Sequence, residues 1–374
     1  MIMRAGEDGR RRVRWAVVGL GHIAQAAVLP AFTHARGSAV LAGLVSSSTE
    51  KRARLGRRYG VEARYGYDRF EECLRNEDID AVYLALPNDM HREYTERAAA
   101  AGVHVLCEKP MAVTEEDARA MIRAAETHDV RLMIAYRLHF EEATLRALEI
   151  ARSGRIGEPR IFTSAFSMQV RPGNIRTRRE RGGGPLLDIG IYCINAARAV
   201  FGAEPVEATA LVERDREERF REVEEAVGAV LRFPGGRLAS FVCSFGASSV
   251  AEYRILGERG DLRVEPAFHY QGALRHHLTA GGRTLTRTFP ARDQFAPLLE
   301  RFSEAIRGGG EVQPDGLEGL ADVRVIEAIH RSAASGQPAV LEPMEGIKRP
   351  DPAQGVRKPP VREALTVDVE PASQ

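Results

Sequence analysis

The sequence predicts an α/β protein in which a doubly wound parallel sheet is followed by a second, mostly antiparallel sheet. Three observations carry this. Residues 13–135 alternate short β-branched runs with amphipathic runs rich in Ala and Arg. The first of the β-branched runs ends in a glycine-rich turn, Gly19-Leu20-Gly21-His22-Ile23-Ala24. Beyond about Tyr136 the strands lengthen, and one pair is separated by Phe-Pro-Gly-Gly, a hairpin signal. The 374 residues are ample for two cores. A content of 44% apolar and 28% charged residues is ordinary for a globular chain, and the net charge of +1 creates no field that would draw in nucleic acid or an anionic membrane.

Taken in order, VRWAVVGL, VLAGLVS, AVYLAL, VHVLCE and VRLMIAY read as the strands of the first sheet. Helical patterns lie between them, near 23–35, 49–58, 68–76, 91–101 and 115–128. Such alternation argues for a parallel sheet covered on both faces. A helix over 139–153 stops at Gly154. PRIFTSAFSMQV, VEATALVERD, VGAVLRFPGG, RLASFVCSFGA and YRILGERGDLRV follow as strands, with a helix inserted at 186–201 and two more near 293–307 and 316–334. The expected units are therefore 13–135, 136–345 and a tail at 346–374, Pro-rich and polar from Lys348 and expected to be extended or disordered.

MIMRAGEDGRRRVRWAVVGLG places basic residues before an apolar stretch, as a signal peptide does. The stretch is short, runs straight into glycines and lacks a small-residue cleavage site, so it reads as a first strand. No apolar run approaches bilayer length. Cys73, Cys107, Cys193 and Cys243 are far apart and form no CxxC pair, which argues against a zinc ribbon or redox dithiol and for free thiols in a reducing, cytoplasmic setting. No histidine spacing suggests a metal; His276 and His277 are adjacent and in a strand would face opposite ways. Glu213 to Glu225 reads as a solvated charged loop.

In the glycine turn, Gly19 permits the tight bend, Gly21 lets backbone amides approach a pyrophosphate, and Ala24 allows close helix–strand packing. His22 and Ile23 open the helix whose N-terminus faces the phosphates. The second strand ends in Ser46-Ser47-Ser48, with Lys51 and Arg52 behind it and Glu50 as the nearby carboxylate. NAD-preferring sites place an acid at that tip for the ribose hydroxyls. Hydroxyls and cations suit a 2′-phosphate instead, so NADP is expected over NAD. No GK[ST] follows the glycines, which excludes a P-loop hydrolase.

The fourth strand, VHVLCEKPMAV, delivers Glu108, Lys109 and Pro110 at its tip, where the ligand crevice of such a sheet lies. In the second half, GGGPLLDIGIY breaks the chain with glycines and then places Asp188 and Tyr192 four apart, on one helix face. At that spacing alone, an Asp/Tyr pair is usually an ordinary hydrogen bond. GLGHIA, CEKPMA and GGGPLLDIGIY together, however, resemble the glucose-fructose oxidoreductase / inositol dehydrogenase (Gfo/Idh/MocA) family, over about Val13 to Leu341. AYRLHFEEA, LLDIGIYCINAARAVFG and ERFREVEE resemble its glucose-fructose and aldose-aldose oxidoreductase branch most.

The resemblance implies a Rossmann domain joined to an α/β domain with a large open sheet, and oxidation or reduction of sugars or polyols with NAD or NADP. By position it makes Lys109 the active-site lysine and Asp188 and Tyr192 the remaining polar residues. Many members carry His in place of Tyr192, and the sugar-oxidoreductase branch is similar to this chain in carrying Tyr. It implies contacts of Ser46 and Lys51 to a 2′-phosphate, with Ser47 beside them, and a cis Lys109–Pro110 bond. Pro87 and Asn88, at a third strand tip, are implied near the nicotinamide ribose. Glu108 belongs to the same cofactor edge or serves structure, paired with a cation or a helix amide. Arg137 contacts substrate or cofactor, or is a buried structural arginine. His91 reads as a helix-start cap or surface residue, and Arg176 to Arg181 could line the substrate entrance.

A phenol with its ordinary pKa of about 10 is a weak base near neutrality, and an adjacent ammonium favours the phenolate. Tyr192 is thus the expected base and acid, Lys109 its charge partner, and Asp188 the acceptor that orients a sugar hydroxyl. The expected reaction is NADP-linked oxidation of an aldose at C1 to its lactone, or the reverse carbonyl reduction. The alternatives are another polyol, dihydrodiol or inositol dehydrogenase of the family, or a catalytically silent NADP sensor. By analogy with the family, association into a dimer or tetramer through the open sheet is expected.

Overall fold

A computed structural model describes residues 11–214, 217–362 and 365–369. The first ten residues, two residues of the charged run after Glu213 and parts of the tail lie outside the described residues. Six strands form a parallel sheet: β1 Val13–Val18, β2 Ala39–Val45, β3 Ala63–Tyr65, β4 Ala81–Leu84, β5 His104–Cys107 and β6 Leu132–Ile134. Their spatial order is β3-β2-β1-β4-β5-β6. The order reverses between β1 and β4, and ligands bind outside the carboxyl ends of the strands at such a switch point. The interior positions of β4 are all buried, which is why AVYL reads as an unbroken apolar run. The short strand β3 carries no strand signal in the sequence.

Helices cover the sheet: α1 Leu29–Ala31 (continuing a π-helical turn, Ala24–Val28), α2 Thr49–Tyr59, α3 Phe70–Asn76, α4 His91–Ala100 and α5 Glu115–Thr127. Ser48 caps α2 by accepting from the Lys51 amide at 3.2 Å, and Thr114 caps α5 from Asp117 at 3.1 Å. After α6, Glu142–Arg152, the chain builds a second sheet from β7 Pro159–Ser167, β8 Glu207–Glu213, β9 Ala226–Phe233, β10 Arg237–Ser244, β11 Val250–Gly257, β12 Gly260–Val264, β13 Leu274–Ala280, β14 Arg283–Phe289 and β15 Ala339–Val340. Its order is β14-β13-β12-β11-β7-β10-β9-β8-β15, and β7 and β10 pair in parallel while the other pairs are antiparallel. The YRILGERGDLRV run is thus two strands joined by a tight turn, and the β13–β14 hairpin is additional to the strands read from the sequence.

One face of this sheet packs on α7 Ile191–Phe201 and on the long helix α9 Gly316–Ser335. The other exposes Leu211, Val230, Leu238 and Val242. Helix α9 also packs on α5 and β6, so one helix touches both sheets. Close approach there needs glycine: a Cβ at Gly319 would lie 2.8 Å from the Met111 sulfur and 2.9 Å from an Ile134 side-chain carbon. A buried ionic cluster ties α7 to α9. The Arg198 guanidinium is fully buried and donates to Glu204, Glu318 and Asp322, and Asn195 donates to Glu318 at 2.8 Å and to Asp322 at 2.9 Å.

α8 Ala296–Gly308 returns to the first sheet, where the Trp15 indole donates to Ser303 Oγ at 3.1 Å. Beyond Lys348 the described residues hold one 3-10 turn, Pro352–Gln354, and pack on the rest of the chain: Lys358 pairs with Glu300 at 2.7 Å, and Val367 is 1% exposed.

Removing Arg198 leaves the buried Glu318 and Asp322 without their arginine, while Glu204 keeps Arg349. Arg198→Met should cost about 3–5 kcal/mol, the order expected for breaking a buried ion pair from one side, measured by urea unfolding. Burial, aided by Glu318 and opposed by Arg198, pushes the Asp322 carboxyl up to about 6. The folded protein then holds a proton there that the unfolded chain, with an aspartate pKa of about 3.9, has released. Stability contributed by this group therefore falls as pH rises from about 4 through about 6. Asp322→Asn should flatten that part of the stability–pH curve, and an unchanged slope would contradict the assignment.

Candidate active site

Gly19 ends β1 at φ +90, a left-handed conformation, and its missing Cβ would lie 2.3 Å from the Ala85 carbonyl oxygen beyond β4. The two strands of the switch point can meet only because this residue is glycine. A Cβ on Gly21 would meet nothing within 4 Å, so the backbone here borders open space. Ala24 is fully buried beneath the turn, and His22 and Ile23 open the helix at the edge of the cleft. An open glycine turn at a helix N-terminus is the arrangement a pyrophosphate needs. Burial, and then the Arg176 charge, lower the His22 pKa, so Arg176 stands within electrostatic reach of the turn.

At the β2 tip the three serines separate. Ser46 is 4% exposed and its Oγ accepts from the Ser48 amide at 3.3 Å; Ser47 is exposed; Ser48 caps α2. The Ser46 hydroxyl is thus engaged within its own turn. Lys51 lies in the first turn of α2, and Arg52 reaches back to the Ser46 carbonyl and to Thr49 Oγ1 at 3.1 Å.

The tips of β4 and β5 are stapled together by His91. This residue is fully buried, with Nδ1 3.0 Å from the Pro110 carbonyl oxygen and Nε2 3.1 Å from that of Leu86. The reading of His91 as a cap or surface residue is therefore corrected: its ring joins two site loops. Glu108 accepts from the buried Tyr83 hydroxyl at 2.7 Å and from the Lys109 amide at 3.3 Å, so its partner is a phenol and not a cation or helix amide. Burial raises its pKa. The Lys109–Pro110 bond is cis. Pro87 and Asn88 stand at the β4 tip, where Asn88 donates to the Gly182 carbonyl at 2.8 Å and so joins the first unit to the second.

Asp188 lies in a π-helical turn, Leu186–Gly190, that leads directly into α7. Such turns remove a carbonyl from the regular ladder. Here the Asp188 carbonyl accepts from Lys109 Nζ at 2.6 Å, and its Oδ1 lies 3.2 Å from the same nitrogen. Its Oδ2 accepts from Arg176 Nε at 2.7 Å. Both carboxylate oxygens are therefore engaged by cations. Burial alone would raise the Asp188 pKa, but Arg176 and Lys109 outweigh it and hold the carboxyl well below the usual range. Burial likewise disfavours the Lys109 ammonium, yet Tyr192, Asp188 and Glu108 together raise its pKa above the ordinary lysine value. Asp188 stays an anion and Lys109 a cation across the neutral range.

Tyr192 follows one turn later. Lys109 Nζ lies 4.8 Å from its ring centroid and Arg137 Cζ 5.1 Å, with an Arg137 nitrogen 3.2 Å from the hydroxyl. Arg137 is 4% exposed and also donates to Gln294 Oε1 and the Phe268 carbonyl. Phe166 meets the Tyr192 ring edge-on at 5.6 Å, and Phe268 lies tilted against it at 5.8 Å. The structure thus brings Lys109, Asp188, Tyr192 and Arg137 together, and it adds Arg176, which the sequence showed only as one residue of a basic run. The rest of that run is used otherwise: Arg181 pairs with Asp89 at 3.1 Å and Arg179 donates to Glu222. Among the described residues no group of His, Cys, Asp and Glu could hold a metal ion.

Comparison with known proteins agrees with this geometry. Residues 13–136 match an oxidoreductase family with an NAD-binding Rossmann fold, and residues 144–263 match the GFO/IDH/MocA C-terminal domain. D-xylose 1-dehydrogenase [NADP(+)] of Haloarcula marismortui is 34% identical over 329 residues, covering 86% of this chain and 91% of that protein. The crystal structure of aldose-aldose oxidoreductase from Caulobacter crescentus, complexed with glycerol, superposes with a TM-score of 0.84 at 39% identity, covering 88% of this chain and all of that one. A 3-ketoreductase from Actinomadura kijaniata, crystallised with NADP and TDP-benzene, gives a TM-score of 0.80 at 28% identity over 86% of this chain and 98% of its own. The chain that brings a cation from a strand tip of the first sheet to a phenol on a helix of the second unit thus belongs to the Gfo/Idh/MocA oxidoreductase family.

Proposed function

We propose that the protein is an NADP-dependent sugar oxidoreductase that oxidises an aldose at C1 to its lactone, or runs the reverse reduction of a carbonyl sugar. The observation that carries this reading is the placement of Lys109 Nζ 4.8 Å from the Tyr192 ring, with an Arg137 nitrogen 3.2 Å from the hydroxyl. The relatives named above, one a xylose dehydrogenase described with NADP(+) and one an aldose-aldose oxidoreductase, support the substrate class and the cofactor.

When bound, NADP would supply the hydride acceptor. Gly19, Gly21 and the helix opened by His22 and Ile23 would hold its pyrophosphate, and Ser47, Lys51 and Arg52 its 2′-phosphate. Pro87, Asn88 and Glu108 form the edge beside the nicotinamide half. In the oxidative direction Tyr192 acts as the phenolate: its oxygen takes the C1 hydroxyl proton as hydride leaves C1, and the phenol forms. Lys109 and Arg137, both close to the ring, favour that phenolate before the transfer. Asp188 has both carboxylate oxygens engaged by cations, so its role is to position Lys109 and Arg176, in place of the simple sugar acceptor read from the sequence. Arg176 then faces the sugar.

The division at residues 135 and 136, with the long sheet as the substrate and assembly unit, belongs to the same proposal. The exposed apolar stripe of Leu211, Val230, Leu238 and Val242 supports a dimer or tetramer through that sheet face. The four cysteines are buried and unpaired, which suits the cytoplasm, and no described helix is long and apolar enough to cross a membrane.

Lys109→Met and Tyr192→Phe should each lower turnover by roughly two to four orders of magnitude while NADP affinity, measured by titration calorimetry, changes little. Wild-type turnover in both variants would refute the roles. Incubation with NADP and a panel of aldoses should raise the reduced-nicotinamide absorbance near ~340 nm for one of them. A response to inositols or dihydrodiols alone would move the protein to another branch of the family, and no response in either direction would favour a sensor. Val242→Arg should shift the sedimentation coefficient of the assembly towards the monomer, and an unchanged value would remove the sheet face as the interface.

A further inference from the structure

Residues 365–369 of the tail lie beside the cofactor edge of the first sheet. Val367 is 1% exposed and packs in the core that contains Trp15, Leu20, Ala24 and Leu44. Its backbone is gripped by the buried Gln25 side chain: the Val367 amide donates to Gln25 Oε1 at 2.7 Å, and Gln25 Nε2 donates to the Val367 carbonyl at 3.0 Å. The same Gln25 nitrogen donates to the Leu20 carbonyl at 2.8 Å, inside the glycine turn. Arg58, on α2, donates to the Leu365 carbonyl. The tail is therefore anchored to the two helices that flank the adenosine end of a dinucleotide site.

The next residue, Asp368, has φ 49, a left-handed conformation that Asp adopts more readily than most side chains. Its carboxylate lies 3.6 Å from Lys51 Nζ. This is the position where NAD-preferring enzymes carry an acid at the second strand's tip. The tip here has serines in place of that acid, and the tail returns a carboxylate to it from more than three hundred residues away in sequence.

We infer that Asp368 is a cofactor-specificity residue: its carboxylate competes with the 2′-phosphate of NADP for Lys51 and accepts from the 2′-hydroxyl of NAD, so that the tail narrows the preference for NADP. The inference rests on the assignment of Lys51 to the 2′-phosphate. The buried Val367 anchor fixes the tail, while Asp368 itself is 66% exposed at the side chain, so its substitution leaves the fold intact.

The test is calorimetric titration of the full-length, cofactor-free protein with NADP and with NAD, before and after Asp368→Asn. The variant should bind NADP about three- to tenfold more tightly at low salt, with NAD unchanged or weaker, and the gain should shrink as ionic strength rises. In a Lys51→Met background, which should itself weaken NADP, the Asp368→Asn gain should disappear. If Lys51→Met leaves NADP affinity unchanged, the assignment of Lys51 is wrong. If Lys51→Met weakens NADP but Asp368→Asn leaves the NADP-to-NAD affinity ratio unchanged or lowers it, Asp368 has no part in specificity.

Discussion

The account depends on one ionic contact between sheets, the Lys109 ammonium held by the carbonyl and carboxylate of Asp188. Lys109 comes from the tip of a parallel strand and Asp188 from the opening turn of a helix on the other sheet. Neither group is stable alone in that setting, because burial opposes both charges. Asp188 is kept ionised by Arg176 and Lys109, and Lys109 by Tyr192, Asp188 and Glu108 against the like charge of Arg176. The consequence is a fixed cation beside Tyr192 and a fixed anion that cannot serve as a proton donor. In the mechanism we propose, proton transfer falls to the phenol, which is the division of roles a carbinol oxidation requires.

The frame around that contact is built to hold it still. Helix α7 carries Tyr192 and is clamped to α9 by Arg198, and α9 touches both sheets. On the other side, His91 ties the β4 and β5 tips together through two backbone carbonyls. Asn88 and Arg181 add contacts across the gap, to Gly182 and Asp89. The two helices that present backbone or charge to the cleft both begin with a π turn, Ala24–Val28 and Leu186–Gly190. A π turn shifts the register of the helix that follows, and at Asp188 it leaves a carbonyl for a side-chain cation.

What was legible in the sequence was local. The glycine turn, the EKP tip and the Asp188/Tyr192 pair each sit within a dozen residues, and their chemistry follows from spacing and strand–helix context. The parallel sheet and most of the second sheet were legible for the same reason. The β13–β14 hairpin was not, because six of the seven residues of β14 are exposed, Thr alternating with two Arg and a Leu, leaving no buried face to show a period of two. Arg176 sat in a run of like charges, and nothing in that run marks which arginine turns inward. His91 does open α4, but its buried ring was not legible, because its partners are backbone carbonyls on the loops after β4 and β5. The tail is polar overall, and Val367, the apolar residue that seats it in the core of the first sheet, is a single side chain whose site exists only after that sheet has formed.

Lys109 and Asp188 can be tested directly as one unit by a double-mutant cycle on the rate of hydride transfer in a single turnover, with the aldose that the protein reduces NADP with. The account predicts strong coupling: Asp188→Asn and Lys109→Met should each slow the step, and the double variant should be no slower than the slower single variant. Losses that simply multiply in the double variant would mean that the two side chains act independently, and the contact on which the site is built would have no part in catalysis.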